Sequence, residues 1–291
     1  MQGLNTEQIM ALALELVEEK EIPLDSGIHH PGENLKKIMF TMDANVGLLQ
    51  MAKHLGFDAV VGHHPCGVLL HQGEVYRKHI DIMEAHGISR QTASQALQDT
   101  LDRTVRSFWN KRFRMLYHES PNNTVLETDA ARLLDIPFMN IHNLFDEQGR
   151  RILQAKMDAA ARETPDWRLK DVLRLIEELP EARVARDEYG ISPVIFIGDP
   201  DTEASKAVFV HGALSAPHPE IIRYYWEHGF KTVVILHNES ENLEKLKNNA
   251  TGNLILTGHF LGDSIGITPF IKALRKKGLE VVCMGGIIDV K

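Results

Sequence analysis

The sequence has few cysteines, no long apolar run and no excess of basic residues. Its 291 residues include two cysteines, Cys66 and Cys283. That is too few for a disulfide framework or a thiolate zinc cluster. No apolar stretch approaches the roughly 20 residues needed to cross a bilayer, and the first residues lack the basic start and the cleavage site of a signal peptide. These absences predict a cytoplasmic protein with no membrane partner.

The charge balance gives no strong signal for nucleic acid. There are 40 acidic and 32 basic residues, for a formal net charge of −8, whereas a phosphate-backbone binder needs a basic surface. The glycine-rich loops of dinucleotide-binding and P-loop enzymes are absent from the sequence as well. The rest of the composition, 43% hydrophobic and 25% charged, is typical of a globular chain that can bury a core.

Short apolar, β-branched runs alternate with helical patterns along the chain. The predicted strands are Lys37–Asp43, Asp58–Gly62, Ile136–His142, Pro193–Gly198, Lys206–Gly212, Lys231–His237, Leu254–Gly258 and Glu280–Met284. Strands that alternate with helices predict an α/β protein with largely parallel or mixed sheets.

The pattern of elements predicts two α/β units with mixed sheets flanked by helices. We place the first unit at 1–150, a helical connection at 151–190 and the second unit at 191–291. Residues 74–135 are predicted to be helical, with breaks near Gly87 and near Ser120–Pro121–Asn122. We interpret this stretch as a helical insertion in the first unit.

Several of the 15 histidines stand where predicted strands end. These strand-end histidines are His64, His142, His211, His237 and His259. In an open α/β sheet, the carboxyl ends of parallel strands face a shared crevice, which is the usual ligand site. Any one of these histidines could instead cap a helix or bind a carbonyl group. Five together favour a ligand-binding edge.

Two kinds of local motif extend this pattern. His63 and His64 are adjacent, so on a regular strand their rings point to opposite faces; the turn before Pro65 lets each ring serve a different ion of a close pair. The pairs His142 and Asp146, and His259 and Asp263, are each spaced i, i+4, which places both groups on one face of a helix. Gly262 and Gly266 weaken the helical prediction for the second pair.

These motifs carry a family resemblance. The runs TMDA at 41–44, GFDAVVGHHP at 56–65, HNLFD at 142–146 and LTGHFLGD at 256–263 together resemble the NIF-three-like dinuclear-metal family, also described as type-two GTP cyclohydrolase-like. The resemblance implies two divalent metal ions and a homo-oligomer, for which a hexamer is one possible form. It implies five metal ligands: His63, His64, Asp146, His259 and Asp263. The family usually has glutamate, which is one methylene longer, at the position of Asp263.

Three further residues are expected beside the ligands. His142 and His237 are predicted to orient a ligand or to face the substrate, and Asp43 ends its strand at the same edge. An ordinary strand-end hydrogen bond for His237 and a helix cap for Asp43 are the alternatives.

Other candidates receive a plainer interpretation. His29 and His30 lie in a loop rich in proline and glycine and are expected at the surface. The pair His118–Glu119 is a weaker rival for metal binding than a solvated or capping pair. No motif supplies Cys66 with a base, so we expect a packed thiol.

The predicted ligand set favours a hydrolytic enzyme. Two ions about 3.5–4 Å apart can activate a bridging water and stabilise charge in the transition state. We therefore predict a dinuclear metal-dependent hydrolase of nucleotide-like or phosphate-containing small molecules, with metal-bound water as the nucleophile and no separate catalytic side chain. Nitrogen and oxygen ligands fit zinc, iron, manganese or cobalt. The alternative is a metal-binding regulatory or scaffold protein with little or no turnover.

Overall fold

The computed structural model describes residues 3–66, 73–117, 125–214 and 216–291, with the backbone alone for 111–117. The strands are β1 Gly27–His30, β2 Lys37–Thr41, β3 Ala59–Gly62, β4 Phe138–Asn140, β5 Val194–Ile197, β6 Ala207–Phe209, β7 Thr232–Ile235, β8 Asn253–Leu256 and β9 Glu280–Met284. The helices are α1 Thr6–Val17, α2 Val46–His54, α3 His79–Ala85, α4 Arg90–Tyr117, α5 Leu126–Leu134, α6 Asn143–Glu163, α7 Leu169–Glu177, α8 Pro180–Tyr189, α9 Pro219–Glu227, α10 Ser240–Asn248 and α11 His259–Lys276.

The chain divides into two compact units, each assembled from separate segments. Unit 1 comprises Met1–Tyr76, Asp102–Phe145 and Ile267–Ile287. Unit 2 comprises Arg77–Leu101, Asp146–Gly266 and Ile288–Lys291. The sequence-based domain boundaries at 150 and 190 stay a prediction.

Unit 1 contains a five-stranded mixed sheet in the order β1-β4-β3-β2-β9. Strand β2 pairs in parallel with β3 and with β9, and β3 pairs in parallel with β4. Strand β1 runs antiparallel to β4, with Gly27 opposite Asn140. The central strand β3 is buried throughout, as expected for a parallel strand covered on both faces. Consequently the carboxyl ends of β3 and β4 lie side by side at one edge.

Packed aromatic rings support that edge of unit 1. The rings of Phe40, Phe145 and Phe270 are fully buried. Phe145 has its centroid 4.7 Å from that of Phe270 and 6.2 Å from that of Phe40. The ring of His63 stacks on Phe145 at 6.3 Å. The core therefore fixes the first residue after β3.

Unit 2 contains a four-stranded mixed sheet in the order β5-β8-β7-β6. Strands β6, β7 and β8 are parallel neighbours, and β5 runs antiparallel to β8. Gln154 on α6 covers the edge strand β6: its Nε2 donates to the carbonyl of Ala207, and its Oε1 accepts from the amide of Phe209. These bonds hold α6 against the strand that leads to His211.

The predicted fold class is confirmed: two mixed α/β sheets are flanked by helices. Each predicted strand overlaps an observed one, and α3, α4 and α5 lie between β3 and β4. A break occurs at Gly87, whereas Ser120–Pro121–Asn122 lies outside the described residues. In the described ranges, no helix has both the length and the apolar character needed to cross a membrane.

One strand was not predicted. The expectation that His29 and His30 are surface loop residues is wrong, because both belong to β1 and are partly buried. The Nε2 of His29 lies 2.8 Å from Asn140 Oδ1 and 3.2 Å from Cys66 Sγ. The proline and glycine that follow His30 indicated a loop, but they end the strand instead.

Candidate functional site

Three histidines gather at the carboxyl edge of the unit 1 sheet. His63 and His64 follow β3 directly, and His142 follows β4 after one residue. The amide of His63 donates to Thr41 O at 2.8 Å, so the end of β2 fixes the turn. We call His63, His64 and His142 the histidine cluster.

The three rings are close to one another and largely buried. The ring centroid of His63 lies 5.3 Å from that of His64 and 4.9 Å from that of His142. His64 and His142 are 5.9 Å apart. His63 is fully buried, and His142 is 6% exposed. Nitrogen atoms of His63 and His64, and of His63 and His142, lie within 4.8 Å of each other.

Each ring of the histidine cluster is oriented through the same nitrogen. His63 Nδ1 donates to the carbonyl of Ile141 at 3.0 Å. His64 Nδ1 lies 2.7 Å from Asp43 Oδ1, and His142 Nδ1 lies 2.6 Å from Asp25 Oδ2. A carbonyl or carboxylate oxygen can only accept, so the proton lies on Nδ1 in all three rings. Nε2 is then the nitrogen that can bind a metal ion.

In unit 2, histidines and aspartates gather at the corresponding edge of the sheet. His211 lies two residues after β6, and His259 begins α11 shortly after β8. Asp146 stands in the first turn of α6, and Asp263 lies one helical turn after His259. We call Asp146, His211, His259 and Asp263 the carboxylate cluster.

The carboxylate cluster has the geometry and charge of a cation site. His211 Nε2 lies 3.6 Å from Asp146 Oδ1 and 3.5 Å from Asp263 Oδ1. These distances exceed those of ordinary hydrogen bonds, but they match the edge of about 3.4 Å between two ligands at tetrahedral angles around an ion 2.1 Å away. All three residues are at most 2% exposed. Two buried carboxylates beside imidazole nitrogens are a donor set that a divalent metal ion would satisfy, so the residues are compatible with metal binding.

The carboxylate of Asp263 faces two imidazoles. Its Oδ1 lies towards His211, and its Oδ2 is 3.0 Å from His259 Nε2. His259 in turn has its ring 4.7 Å from that of His237. Each oxygen of this carboxylate therefore has its own nitrogen neighbour.

Glycines bring the two carboxylates together. A Cβ on Gly149 of α6 would lie 3.2 Å from the amide nitrogen of Gly266 in α11. A Cβ on Gly262 would lie 2.3 Å from Leu236 Cγ, just beyond β7. From the sequence, Gly262 and Gly266 weakened the prediction of a helix here, but the helix continues through both of them. They allow α11 to pack closely. At these glycines the two helices meet through backbone atoms, and oxygen atoms of Asp146 and Asp263 lie within 4.8 Å of each other.

An arginine pair lies one turn beyond Asp146 on α6. Arg150 binds Glu147 through Nε and Nη2, both at 2.7 Å, and Arg151 Nε binds the same carboxylate at 2.8 Å. Burial raises the pKa of Glu147, but the bonds and charges of the two arginines outweigh burial and lower that pKa. Glu147 also packs against Gly212, the residue after His211.

The predicted ligands fall into both clusters. His63 and His64 belong to the histidine cluster, and Asp146, His259 and Asp263 to the carboxylate cluster. The expectation that all five serve one dinuclear centre stays a prediction. His118–Glu119 lies outside the described residues.

The predicted neighbours of the ligands are placed as follows. His142 contacts His63, His237 contacts His259, and Asp43 contacts His64. The sequence did not single out His211 as a ligand, although its position at a strand end was the signal. Asp25 was missed because β1, which begins two residues after it, was missed.

The fold and the buried His/Asp groups define a two-unit α/β protein whose side chains are compatible with metal binding. No family model and no curated protein matches the chain. Among solved structures, a NIF3 superfamily protein from Sphaerobacter thermophilus is 33% identical, with a TM-score of 0.87 over 98% of this chain and 100% of that chain. The chain belongs to the NIF3 superfamily, which confirms the family resemblance.

More distant structures share the fold alone. Reduced HcgD from Methanocaldococcus jannaschii is 12% identical, with a TM-score of 0.56 over 97% of this chain and 99% of that one. A Bacillus cereus protein related to NIF3 is 8% identical, with a TM-score of 0.53 over 100% of this chain and 99% of that one.

Proposed function

We propose that the protein is a metal-dependent hydrolase of phosphate-containing small molecules, with nucleotide-like compounds as the first substrates to test. The observation that carries the proposal is the carboxylate cluster, in which two buried aspartates lie 3.5–3.6 Å from one imidazole nitrogen. Burying two carboxylates is costly unless a cation compensates them. The arrangement is therefore understandable as a binding site for a divalent ion.

The proposed ligand set is drawn from both clusters. Asp146, His259 and Asp263 supply oxygen and nitrogen from unit 2, and His63 and His64 supply nitrogen from unit 1. We add His211 to the unit 2 ligands because of its distances to both carboxylates. Imidazole and carboxylate groups suit zinc, iron, manganese or cobalt.

The residues around the ligands would orient them for this role. A bound divalent ion supplies Lewis acidity and lowers the pKa of a coordinated water. Asp43 and the carbonyl of Ile141 hold the rings of His64 and His63 with Nδ1 protonated. This keeps Nε2 in the form that can donate its electron pair. Hydrogen bonds of this kind also make the imidazole a better ligand.

Arg150 supports a substrate with an anionic group. It lies four residues after Asp146 on α6, so both side chains are on the same helical face. The Arg150 side chain is 10% exposed, and Glu147 holds its guanidinium in place through two of its nitrogens. In the described part of the chain, no residue forms a hydrogen bond with Nη1 of Arg150. A positioned guanidinium with a remaining donor suits a phosphate oxygen.

The test is metal analysis followed by an activity screen. Protein purified without added metal should contain up to two divalent ions per chain, and metal-replete protein should hydrolyse a member of a nucleotide and phosphoester panel. Asp263→Ala and His64→Ala should abolish turnover, whereas His54→Ala, at an exposed position on α2, should leave turnover unchanged. Absence of bound metal after reconstitution would refute the proposal. Metal binding without turnover across the panel would favour the regulatory or scaffold function.

A further inference from the structure

A wholly buried aspartate in unit 1 lies against the histidine cluster. The side chain of Asp25 has no solvent exposure, and that of His142 is 7% exposed. Asp25 Oδ2 is 2.6 Å from His142 Nδ1. We propose that His142 is a third metal-ligating histidine beside His63 and His64, and that Asp25 is the positioning residue that fixes its ring. This inference rests on the proposed function, because it names one more ligand of the same ions.

The first argument is that His142 has the same environment as its neighbours. All three rings of the histidine cluster use Nδ1 to bind an oxygen, which leaves Nε2 as the coordinating nitrogen. His142 and His63 carry nitrogens within 4.8 Å of each other, and their rings are 4.9 Å apart. Nothing in this geometry distinguishes His142 from the two residues that the family motif identifies.

The second argument is that Asp25 is held in place as firmly as a ligand-orienting group requires. Its backbone carbonyl accepts from Asn140 Nδ2 at 2.8 Å, and its Oδ1 accepts from the hydroxyl of Ser26 at 3.2 Å. The Ser26 hydroxyl oxygen accepts from the backbone amide of His142 at 2.9 Å. The segment before β1 is thus bonded to the last residue of β4 and to His142 through side chain and main chain together.

The third argument concerns energy. A buried carboxylate is costly to remove from water. One hydroxyl and one imidazole repay that cost poorly unless the imidazole is positively charged or coordinates a cation. A carboxylate, a histidine and a metal ion in series satisfy all three groups, and this arrangement recurs in metal sites. If Asp25 only linked the segment before β1 to β4, its negative charge would be unnecessary, because the neutral amide of an asparagine could make the same hydrogen bond.

The same unit contains a matched control. His30 and Asp135 form a second histidine–carboxylate pair with Nε2 and Oδ1 3.2 Å apart, but the Asp135 side chain is 89% exposed. Asp135→Asn makes the same change of carboxylate to amide in an exposed histidine–carboxylate pair outside the cluster. Asparagine also tolerates the left-handed backbone at this position, where φ is 49°.

The experiment measures metal affinity rather than activity. Full-length wild type and the variants His142→Ala, His142→Gln, Asp25→Asn and Asp135→Asn are stripped with a chelator. They are then titrated with Zn²⁺ in competition with a chromophoric chelator, and with Co²⁺ while the visible absorption is recorded. His63→Ala serves as the reference for loss of a ligand, and circular dichroism establishes which variants fold.

We expect His142→Ala to weaken the same ion as His63→Ala by at least 10-fold and to alter the Co²⁺ spectrum. Asp25→Asn should cost about 10-fold, within the range known for residues that orient ligands, and Asp135→Asn should match wild type. If both His142→Gln and Asp25→Asn keep the wild-type metal affinity and spectrum, this inference is overturned while the proposed function stands. These two variants also decide the question if His142→Ala does not fold. Failure of the wild type to bind either ion would refute the proposed function as well.

Discussion

Replacing Asp263 with asparagine is expected to stabilise the metal-free protein while abolishing metal binding at the carboxylate cluster. Oxygen atoms of Asp146 and Asp263 lie within 4.8 Å of each other, and both residues are at most 2% exposed. Two unit charges 4.8 Å apart repel by about 3.5 kcal/mol at an effective dielectric constant of 20. An amide that satisfies its hydrogen bonds only in part returns about 1–2 kcal/mol. The free energy of unfolding should therefore rise by about 1.5–2.5 kcal/mol.

Urea denaturation in chelator and in excess Zn²⁺ measures both effects. In chelator, Asp263→Asn should unfold at a higher urea concentration than wild type. In Zn²⁺ the order should reverse, because an ion present at 100 times its dissociation constant stabilises the wild type by about 2.7 kcal/mol and should stabilise the variant much less. Asp166→Asn changes an exposed carboxylate of the same unit and should shift stability by no more than about 0.5 kcal/mol.

Two results would refute this reasoning. A variant clearly less stable than wild type in chelator would mean that the carboxylates do not repel each other in the folded state. Equal stabilisation of variant and wild type by Zn²⁺ would mean that Asp263 does not bind the ion.

Further predictions concern packing, thiol reactivity and pH. Gly262→Ala should lower the free energy of unfolding by about 1–3 kcal/mol and weaken metal binding, because its Cβ would meet Leu236. In a Leu236→Ala background the same substitution should cost less free energy. Additive costs in this double-mutant cycle would count against the clash. Burial, and secondarily the charge of Glu127, raises the pKa of the Cys66 thiol to about 12. Iodoacetamide at pH 8 should therefore alkylate Cys66 over 100-fold more slowly than a small thiol. Rapid alkylation of Cys66 in a Cys283→Ser variant of the native protein would contradict this. Burial lowers the pKa of His79 to about 3. Below a pH of about 6.5, the His79 imidazole therefore binds a proton in the unfolded chain but not in the folded one. The free energy of unfolding then falls by about 1.4 kcal/mol per pH unit. His79→Gln should show a correspondingly shallower loss in urea denaturation between pH 6.5 and 4.5, and parallel curves would refute the assignment.

Much of the fold could be predicted from the sequence because the inner strands are buried on both faces. Continuous apolar runs such as those of β3 and β7 stand out against their polar flanks. Strand β1 could not be predicted in this way. Its four residues, GIHH, are each only partly buried, and it exists because it pairs with β4. Pairing of this kind is a long-range property that local composition does not report.

The candidate site was predictable to the same extent and for the same reason. The family motifs and the strand ends identified His63, His64, Asp146, His259 and Asp263. Asp25 carries no motif, and its position depends on the β1–β4 pairing. The role of Gly262 was misjudged because helix propensity was the only measure available from the sequence, and close packing overrode it.

The glycine contacts between α6 and α11 have a consequence for the choice of ion. Because Gly149 and Gly266 meet through their backbones, the separation of α6 and α11 beside Asp146 and Asp263 is set by main-chain atoms and not by packed side chains. In the proposed metal site, repacking a methyl or methylene group at this contact could not adapt the helix separation to a smaller or larger cation. Ionic radius would then contribute to the choice between ions of similar chemistry, and the glycines, which have no side chain to bind a metal, would set that limit.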